Sequence, residues 1–273
     1  MSKRIIALFL AGTMMLSLAA CKGNEPEEST TTETTTEATT TTETTTETTT
    51  ESTSVSQETE PEVLDVAIQM DIIVDNYSLW LVEDDPNDYL YAVTDFNQDG
   101  WLEIVASSIQ GSGLFTVAKI FEVNAEMELD EYHFPNEDIE GNFIPDIGEE
   151  TLSYYVVDGV YTYVVNDVTR ISAAEHNSDL YAMTLDPATK KVDFTLLASA
   201  ATVIDEKGND KSEFFDADKK PITEEEFNKC ASDKYMPICS ASGFANIGWK
   251  TSQDMAKEDF EVCLHESWEA FAI

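Results

Sequence analysis

Residues 152–167, LSYYVVDGVYTYVVND, decide the fold class of this 273-residue chain. Two runs of aromatic and β-branched residues flank Asp158-Gly159, a dipeptide typical of the tight turn between two antiparallel strands. A second segment of this kind, DLYAMTLDPATKKVDFTLL at residues 179–197, has its turn signal at DPATKK. The sequence therefore predicts consecutive β-hairpins, which build an antiparallel sheet.

Helical periodicity occurs at both ends of the same region. In residues 63–81 and again in residues 252–271, apolar side chains recur at spacings of three and four, the pattern of an amphipathic helix. Thr223-x-x-Glu226 has the spacing of a capping box and predicts the start of a third helix. The predicted fold class is α+β: an antiparallel β-sheet flanked by an N-terminal and a C-terminal amphipathic helix.

The N-terminus has the composition of a secretory signal. Lys3 and Arg4 precede a mostly apolar run at residues 5–18, which is too short for a stable membrane span. The sequence LAAC at residues 18–21 resembles the lipobox of bacterial lipoproteins. That resemblance implies that residues 1–20 are a lipoprotein signal peptide and that Cys21 becomes lipidated. An ordinary signal peptide, with the cysteine at this position by chance, is the alternative.

A biased segment follows the cysteine. Residues 24–62 contain 18 Thr and 11 Glu and neither Lys nor Arg. Such a composition cannot bury a core and carries like charges, so we expect residues 21–62 to be a disordered stalk. Residues 63–273 are then a single α+β domain. We expect this domain at the extracellular face of a cell membrane, with the membrane as partner through the lipid anchor.

The charge of residues 63–273 is strongly negative, with 43 acidic and 12 basic side chains. This field repels phosphate backbones, so we expect no nucleic-acid partner, and it attracts cations. Cys230, Cys239 and Cys263 lack the CxxC or histidine spacing of a zinc site. Three cysteines allow one disulfide with one free thiol, or no disulfide at all.

The segment TDFNQDGWLEIV at residues 94–105 places oxygen atoms at alternate positions. Calcium takes six to eight oxygen ligands, and a tight loop presents them from every second residue. Gly100 permits the sharp turn that such a loop needs. The alternative to a calcium loop is a plain hairpin turn at Asp99-Gly100, with the other polar side chains of the segment in solvent. The candidate ligands are the side chains of Asp95, Asn97, Asp99 and Glu103 and the backbone carbonyl of Trp101.

This motif differs from an EF-hand, because Ala106 stands where the twelfth-position glutamate is required and both flanks have strand character. It resembles the calcium loop of FG-GAP and VCBS repeats, in which a pattern close to DFNGDG..D precedes an apolar strand. Glu103 stands where those repeats carry aspartate. The chain has one copy and cannot form a propeller, so the resemblance implies calcium as the cofactor and not the adhesive role. The overall layout also resembles surface lipoproteins of Gram-positive bacteria.

No catalytic motif is evident in the sequence. His133, His176 and His265 lie in unrelated contexts, and neither a complete HExxH nor a G-x-S-x-G motif occurs. The preferred hypothesis is a non-enzymatic, lipid-anchored extracellular domain, stabilised by calcium, that binds or presents a glycan or protein ligand. The alternative is a secreted hydrolase that acts on polysaccharide or cell wall through carboxylates that the sequence does not identify.

Overall fold

The computed structural model describes residues 63–82, 88–109, 116–135, 144–256 and 259–273. The predicted signal peptide, Cys21 and the stalk lie outside these ranges. Within them, no helix is both long enough and apolar enough to cross a membrane.

The described residues form twelve β-strands. In chain order they are β1 (Asp88–Thr94), β2 (Glu103–Ile109), β3 (Ala118–Val123), β4 (Leu129–Glu131), β5 (Thr151–Val157), β6 (Val160–Ser172), β7 (Glu175–Asp186), β8 (Lys191–Ile204), β9 (Asp210–Asp216), β10 (Pro221–Ile222), β11 (Ala241–Asn246) and β12 (Lys250–Thr251). They make a five-stranded sheet of order β12-β1-β2-β3-β4 and a seven-stranded sheet of order β10-β9-β8-β7-β6-β5-β11. Every strand pair in both sheets is antiparallel.

Both predicted hairpins are present in the seven-stranded sheet. Asp158 and Gly159 join β5 to β6 with φ angles of 52° and 85°. Positive φ at both central residues is what a two-residue type I′ turn requires. The DPATKK segment joins β7 to β8, and Lys190 in this turn has a φ of 51°.

Five helices complete the described fold: α1 (Val66–Asp75), α2 (Tyr77–Trp80), α3 (Glu224–Tyr235), α4 (Ser252–Met255) and α5 (Phe260–Ala270). The capping box at Thr223 and Glu226 is confirmed. The single helix predicted over residues 63–81 is divided at Asn76. The side chain of Asn76 donates to the carbonyl of Ile72 at 2.8 Å, a local bond that competes with the helical backbone. The helix predicted over residues 252–271 is likewise divided, into α4 and α5.

Two hydrophobic cores lie on opposite faces of the five-stranded sheet. Ala92 of β1 belongs to a core shared with Tyr163 and Met183 of the seven-stranded sheet. The neighbouring residues Tyr91 and Val93 belong to a second core, in which the sheet packs on the helices. Since successive strand residues point to opposite faces, β1 contributes to both cores. The α+β class with antiparallel strands is therefore present, with two sheets where the sequence predicted one.

The three cysteines in the described part of the chain carry free thiols. Cys230 and Cys239 pack beside a small cluster that contains Tyr155 and Tyr235, and Cys263 packs beside the helix-side core.

Candidate cation site in the β1–β2 loop

The candidate ligands lie at the closed end of a hairpin. β1 and β2 pair in register from Asp88 with Ile109 to Thr94 with Glu103, and residues 95–102 connect them. The predicted strand flanks are therefore present, and Ala106 lies buried within β2. The loop thus lacks the two flanking helices of an EF-hand.

The aspartates of the loop turn back onto the loop backbone. The two carboxylate oxygens of Asp95 accept hydrogen bonds from the amides of Asp99 at 3.1 Å and Gly100 at 3.2 Å. Asp99 accepts from the amide of Trp101 at 2.8 Å. Gly100 has a φ of 90°, so the turn uses the conformation for which glycine was expected.

Glu103 is the least satisfied charged group of the loop. Its side chain is fully buried at the start of β2. One oxygen, Oε2, accepts hydrogen bonds from the Thr94 hydroxyl at 3.0 Å and the Phe96 amide at 2.8 Å. The other oxygen, Oε1, is buried and has no hydrogen-bond partner among the described residues. A buried carboxylate oxygen without a partner is costly and requires a compensating proton or cation.

Neighbouring carboxylates increase this cost. Burial and then the charge of Asp99 raise the pKa of Asp95 to about 6. Burial, followed by the charges of Asp95 and Glu122, raises the pKa of Glu103 well above its usual range. Like charges held close together in a protein interior resist simultaneous ionisation. The site therefore favours the uptake of positive charge.

Asn97 connects the loop to a residue that the sequence did not single out. Its amide nitrogen donates to Asp99 at 2.9 Å, to Glu122 Oε2 at 3.0 Å and to the Tyr132 hydroxyl at 3.3 Å. Glu122 lies in β3, where its neighbours Phe121 and Val123 are buried. In the sequence, the sign that Glu122 has a special role is its position as an acidic residue between apolar neighbours. Its place beside the loop follows only from the pairing of β2 with β3.

The loop is also tied to α1. Gln69 of α1 is fully buried and donates to the Gly100 carbonyl at 2.9 Å, while its side-chain oxygen accepts from the Leu102 amide at 2.7 Å. The ring of Trp101 packs beside the helix-side core. Gln69 was not predicted as part of the site, because its role depends on a contact between residues distant in sequence.

A second anchor comes from the seven-stranded sheet. The hydroxyl of Tyr163 in β6 donates to the Phe96 carbonyl at 2.6 Å, and the two rings meet edge to face with centroids 4.9 Å apart. Buried side chains from α1 and from β6, Gln69 and Tyr163, thus both form hydrogen bonds with the loop backbone.

Four of the five predicted ligand positions therefore lie in one loop and the fifth, Glu103, begins β2 directly after it. Within the loop, hydrogen bonds join the side chains of Asp95, Asn97 and Asp99 to each other or to the loop backbone. Within the described ranges, no group of three or more His, Cys, Asp or Glu side chains converges as a metal site. The loop aspartates instead accept from backbone amides, and among the candidate ligands Glu103 is the one whose side chain has a buried oxygen without a hydrogen-bond partner in the described part of the chain.

A groove of about 280 Å³ lies on the seven-stranded sheet, away from the loop. Asp179, Ser199 and Phe215 occupy one row across β7, β8 and β9. Lys219 donates to the Ser199 hydroxyl at 3.3 Å. Burial raises the pKa of Asp179, and the charge of Lys219 opposes that rise. The groove thus combines charged and neutral hydrogen-bonding groups with an aromatic side chain.

The three histidines lie on different elements of the described fold. His133 follows β4, His176 lies in β7 and His265 lies in α5. They are not part of the loop or of the lining of the groove.

No protein-family model and no curated protein matches the chain. Among solved structures, the chain is similar to one described as the structure of a Xanthomonas Type IV secretion system related protein, at 14% sequence identity. That match covers 48% of this chain and 56% of the other, with a TM-score of 0.25, and at that score it carries no argument about fold or function.

Proposed function

We propose that the β1–β2 loop binds a calcium ion and that the ion stabilises the domain. The supporting observation is Glu103, whose fully buried carboxylate has an oxygen without a partner and lies near the charges of Asp95 and Glu122. A divalent cation would give that oxygen a partner and offset the repulsion. The donors offered by the loop are oxygens, which suits a hard cation such as calcium.

In this proposal the ligands are those of the sequence motif. They are the side chains of Asp95, Asn97, Asp99 and Glu103 and the backbone carbonyl of Trp101. The bound ion supplies positive charge, and the chain supplies orientation through the hydrogen bonds around the loop. The role is structural, because the ion would fix a turn that otherwise gathers like charges.

The terminal helices support the same loop in this proposal. Gln69 of α1 bonds to the loop directly, and Ser267 of α5 accepts from the Val93 amide of β1 at 2.9 Å. We therefore infer that the N-terminal and C-terminal helices flank the five-stranded sheet and hold the end of β1 and the loop that follows it in position.

Calorimetry of the purified chain carrying Cys21→Ser tests the calcium site. Extracellular calcium modules bind with Kd values of about 10⁻⁴ to 10⁻³ M. If Kd is near 10⁻⁴ M, 10 mM calcium would stabilise the domain by about 2.7 kcal/mol. Glu103→Gln should abolish the rise in Tm, whereas Glu126→Gln, an exposed position, should keep it. An identical Tm for the unsubstituted loop in calcium and in chelator would overturn the proposal.

Tethering to a membrane is the second element of the proposal. It rests on the sequence LAAC at residues 18–21 and on the Thr/Glu-rich segment that follows. Two or three acyl chains bind a membrane stably, since each buried methylene contributes about 0.8 kcal/mol. Cys21→Ser should move the protein from the membrane fraction to the medium and abolish labelling with radioactive palmitate. Unchanged labelling would contradict lipidation at Cys21.

The groove on the seven-stranded sheet is the surface that we propose for an extracellular glycan. Phe215 offers a ring for sugar stacking, and Asp179, Lys219 and Asn177 offer hydrogen bonds. The net negative charge of the domain favours a neutral sugar over an anionic one. Among the described lining residues Asp179 is the one carboxylate, whereas a glycosidase normally uses two, so binding is favoured over hydrolysis.

A glycan array tests this assignment. Binding that is lost in Phe215→Ala and Asp179→Asn and retained in Asp193→Asn, an exposed position on β8, would support the groove. Binding that survives both groove substitutions would place the ligand elsewhere.

A further inference from the structure

We propose that Lys190, which reaches over from the seven-stranded sheet, sets the calcium affinity of the loop by competing with the ion for Glu122. This inference rests on the calcium binding proposed above. Lys190 lies outside the sequence motif, and its positive charge lowers the affinity of the loop for calcium.

Lys190 and Glu122 form an ion pair between the two sheets. Lys190 lies in the turn between β7 and β8, and its ammonium group contacts Glu122 Oε1. The ammonium nitrogen lies 5.2 Å from the centroid of the Tyr132 ring. The side chain of Glu122 is 3% exposed and that of Lys190 is 23% exposed, so water screens this pair weakly.

Glu122 connects the ion pair to the loop. Its second oxygen, Oε2, accepts from the Tyr132 hydroxyl at 2.6 Å and from the Asn97 amide at 3.0 Å. The same Asn97 nitrogen donates to Asp99 at 2.9 Å. The Glu122 carboxylate therefore separates Lys190 from the candidate ligand Asn97, and the Asn97 amide continues the chain of contacts to Asp99.

The charges around the loop determine whether removal of Lys190 raises or lowers the affinity for calcium. Asp95, Asp99, Glu103 and Glu122 bring four acidic groups to this region, and Lys190 is an ammonium group in contact with one of them, Glu122. That positive charge repels an incoming calcium ion and engages Glu122. Removing it strengthens the attraction for calcium and frees Glu122 to turn towards the ion.

Removal of the Lys190 side chain should, by contrast, destabilise the calcium-free protein. Without Lys190, the buried carboxylate of Glu122 loses its charged partner, which destabilises a fold. A loss of calcium-free stability together with a gain in calcium affinity distinguishes competition from a general packing role, since damaged packing would weaken both.

The backbone at Lys190 is held independently of its side chain. The Lys190 carbonyl accepts from the His133 amide at 2.8 Å, and the His133 carbonyl accepts from the Val192 amide at 3.0 Å. Substitution of the side chain therefore leaves the main-chain contacts of the turn in place. Lys191, the next residue, is exposed and provides a matched control.

The test is calcium titration calorimetry on the full chain carrying Cys21→Ser. Lys190→Met should tighten calcium binding about fivefold or more, the lower range of typical coupling between sites, and should lower the Tm in chelator. Lys190→Gln, which keeps a hydrogen-bond donor for Glu122, guards against poor folding and should also tighten binding. Lys191→Met should leave the Kd unchanged. In a Glu122→Gln background, Lys190→Met should lose most of its effect.

The outcomes separate this inference from the proposed function. If Lys190→Met and Lys190→Gln leave calcium affinity unchanged or weaker, while Glu103→Gln still abolishes binding, competition by Lys190 is wrong and the calcium site stands. If the unsubstituted loop binds no calcium, both are wrong.

Discussion

Glu103 of β2 and Glu122 of β3 lie directly opposite each other in the five-stranded sheet, and both side chains are buried. Like charges in facing positions destabilise an antiparallel pair. The two residues are satisfied differently. Glu122 has Lys190, Tyr132 and Asn97 as partners, whereas Glu103 has partners for one oxygen only. Glu103 is therefore the member of this pair that needs a proton or a cation.

Neutralising Glu103 should stabilise the calcium-free protein. Glu103→Gln removes a charge that repels Asp95 and Glu122, and its amide oxygen can still accept from Thr94 and Phe96. We expect an increase of about 1 kcal/mol in the free energy of unfolding, measured by urea denaturation in chelator. A clear decrease would show that the charged form is the one that the calcium-free fold requires.

The stability of the calcium-free protein should fall as the pH rises. Asp95 has a folded-state pKa of about 6 against an ordinary value of 3.8, so the folded state binds the additional proton between these values. Its contribution is fully present below pH 4 and is lost as the pH rises through about 6. Saturating calcium should reduce this dependence, because the ion holds the carboxylate ionised. The measurement is Tm at pH 4–8 with and without calcium, and identical profiles would contradict the assignment.

Removing the side chain of Gln69 should weaken the loop and its helix together. Gln69→Ala leaves the Leu102 amide and the Gly100 carbonyl without their buried partner. We expect a loss of about 2–3 kcal/mol in the free energy of unfolding and weaker calcium binding. Gln253→Ala, at an exposed position of α4, is the control and should have little effect on either. Equal effects of the two substitutions would mean that the hydrogen bonds of Gln69 contribute neither to the stability of the domain nor to calcium binding.

Gly100 and Gly208 form a matched pair for testing the turn. Both have positive φ, 90° and 79°, but a Cβ at Gly100 would lie 3.2 Å from Val63, whereas a Cβ at Gly208 meets nothing within 4 Å. Each glycine-to-alanine change should cost about 1 kcal/mol from the backbone, with a larger loss at Gly100. Calcium affinity should decrease only in Gly100→Ala. Equal losses of affinity in the two variants would argue against a site in this loop.

The sequence predicted those features whose causes are local. Asp158-Gly159 and the capping box at Thr223 depend on residues within one turn, and both are present. The strands on either side of the segment from Asp95 to Glu103 were predicted for the same reason. The division at Asn76 was missed, because the apolar stripe continues through it while a single side-chain bond interrupts the helix.

The features that were missed depend on pairing between distant parts of the chain. Which strands join the five-stranded sheet and which the seven-stranded one follows from long-range contacts, such as β12 with β1 and β11 with β5. Glu122 and Lys190 are likewise brought to the loop by strand order and by the packing of the two sheets. No spacing within the motif contains that information.

The position of Val63 beside Gly100 has a mechanical consequence. Val63 is the first described residue of the domain, and α1, which follows it, is bound to the β1–β2 loop through Gln69. Tension applied through the preceding segment would therefore act on the hydrogen bonds of Gln69 before it reached the seven-stranded sheet. With the proposed ion in the loop and the proposed anchor at Cys21, the loop would set the force at which the domain begins to unfold.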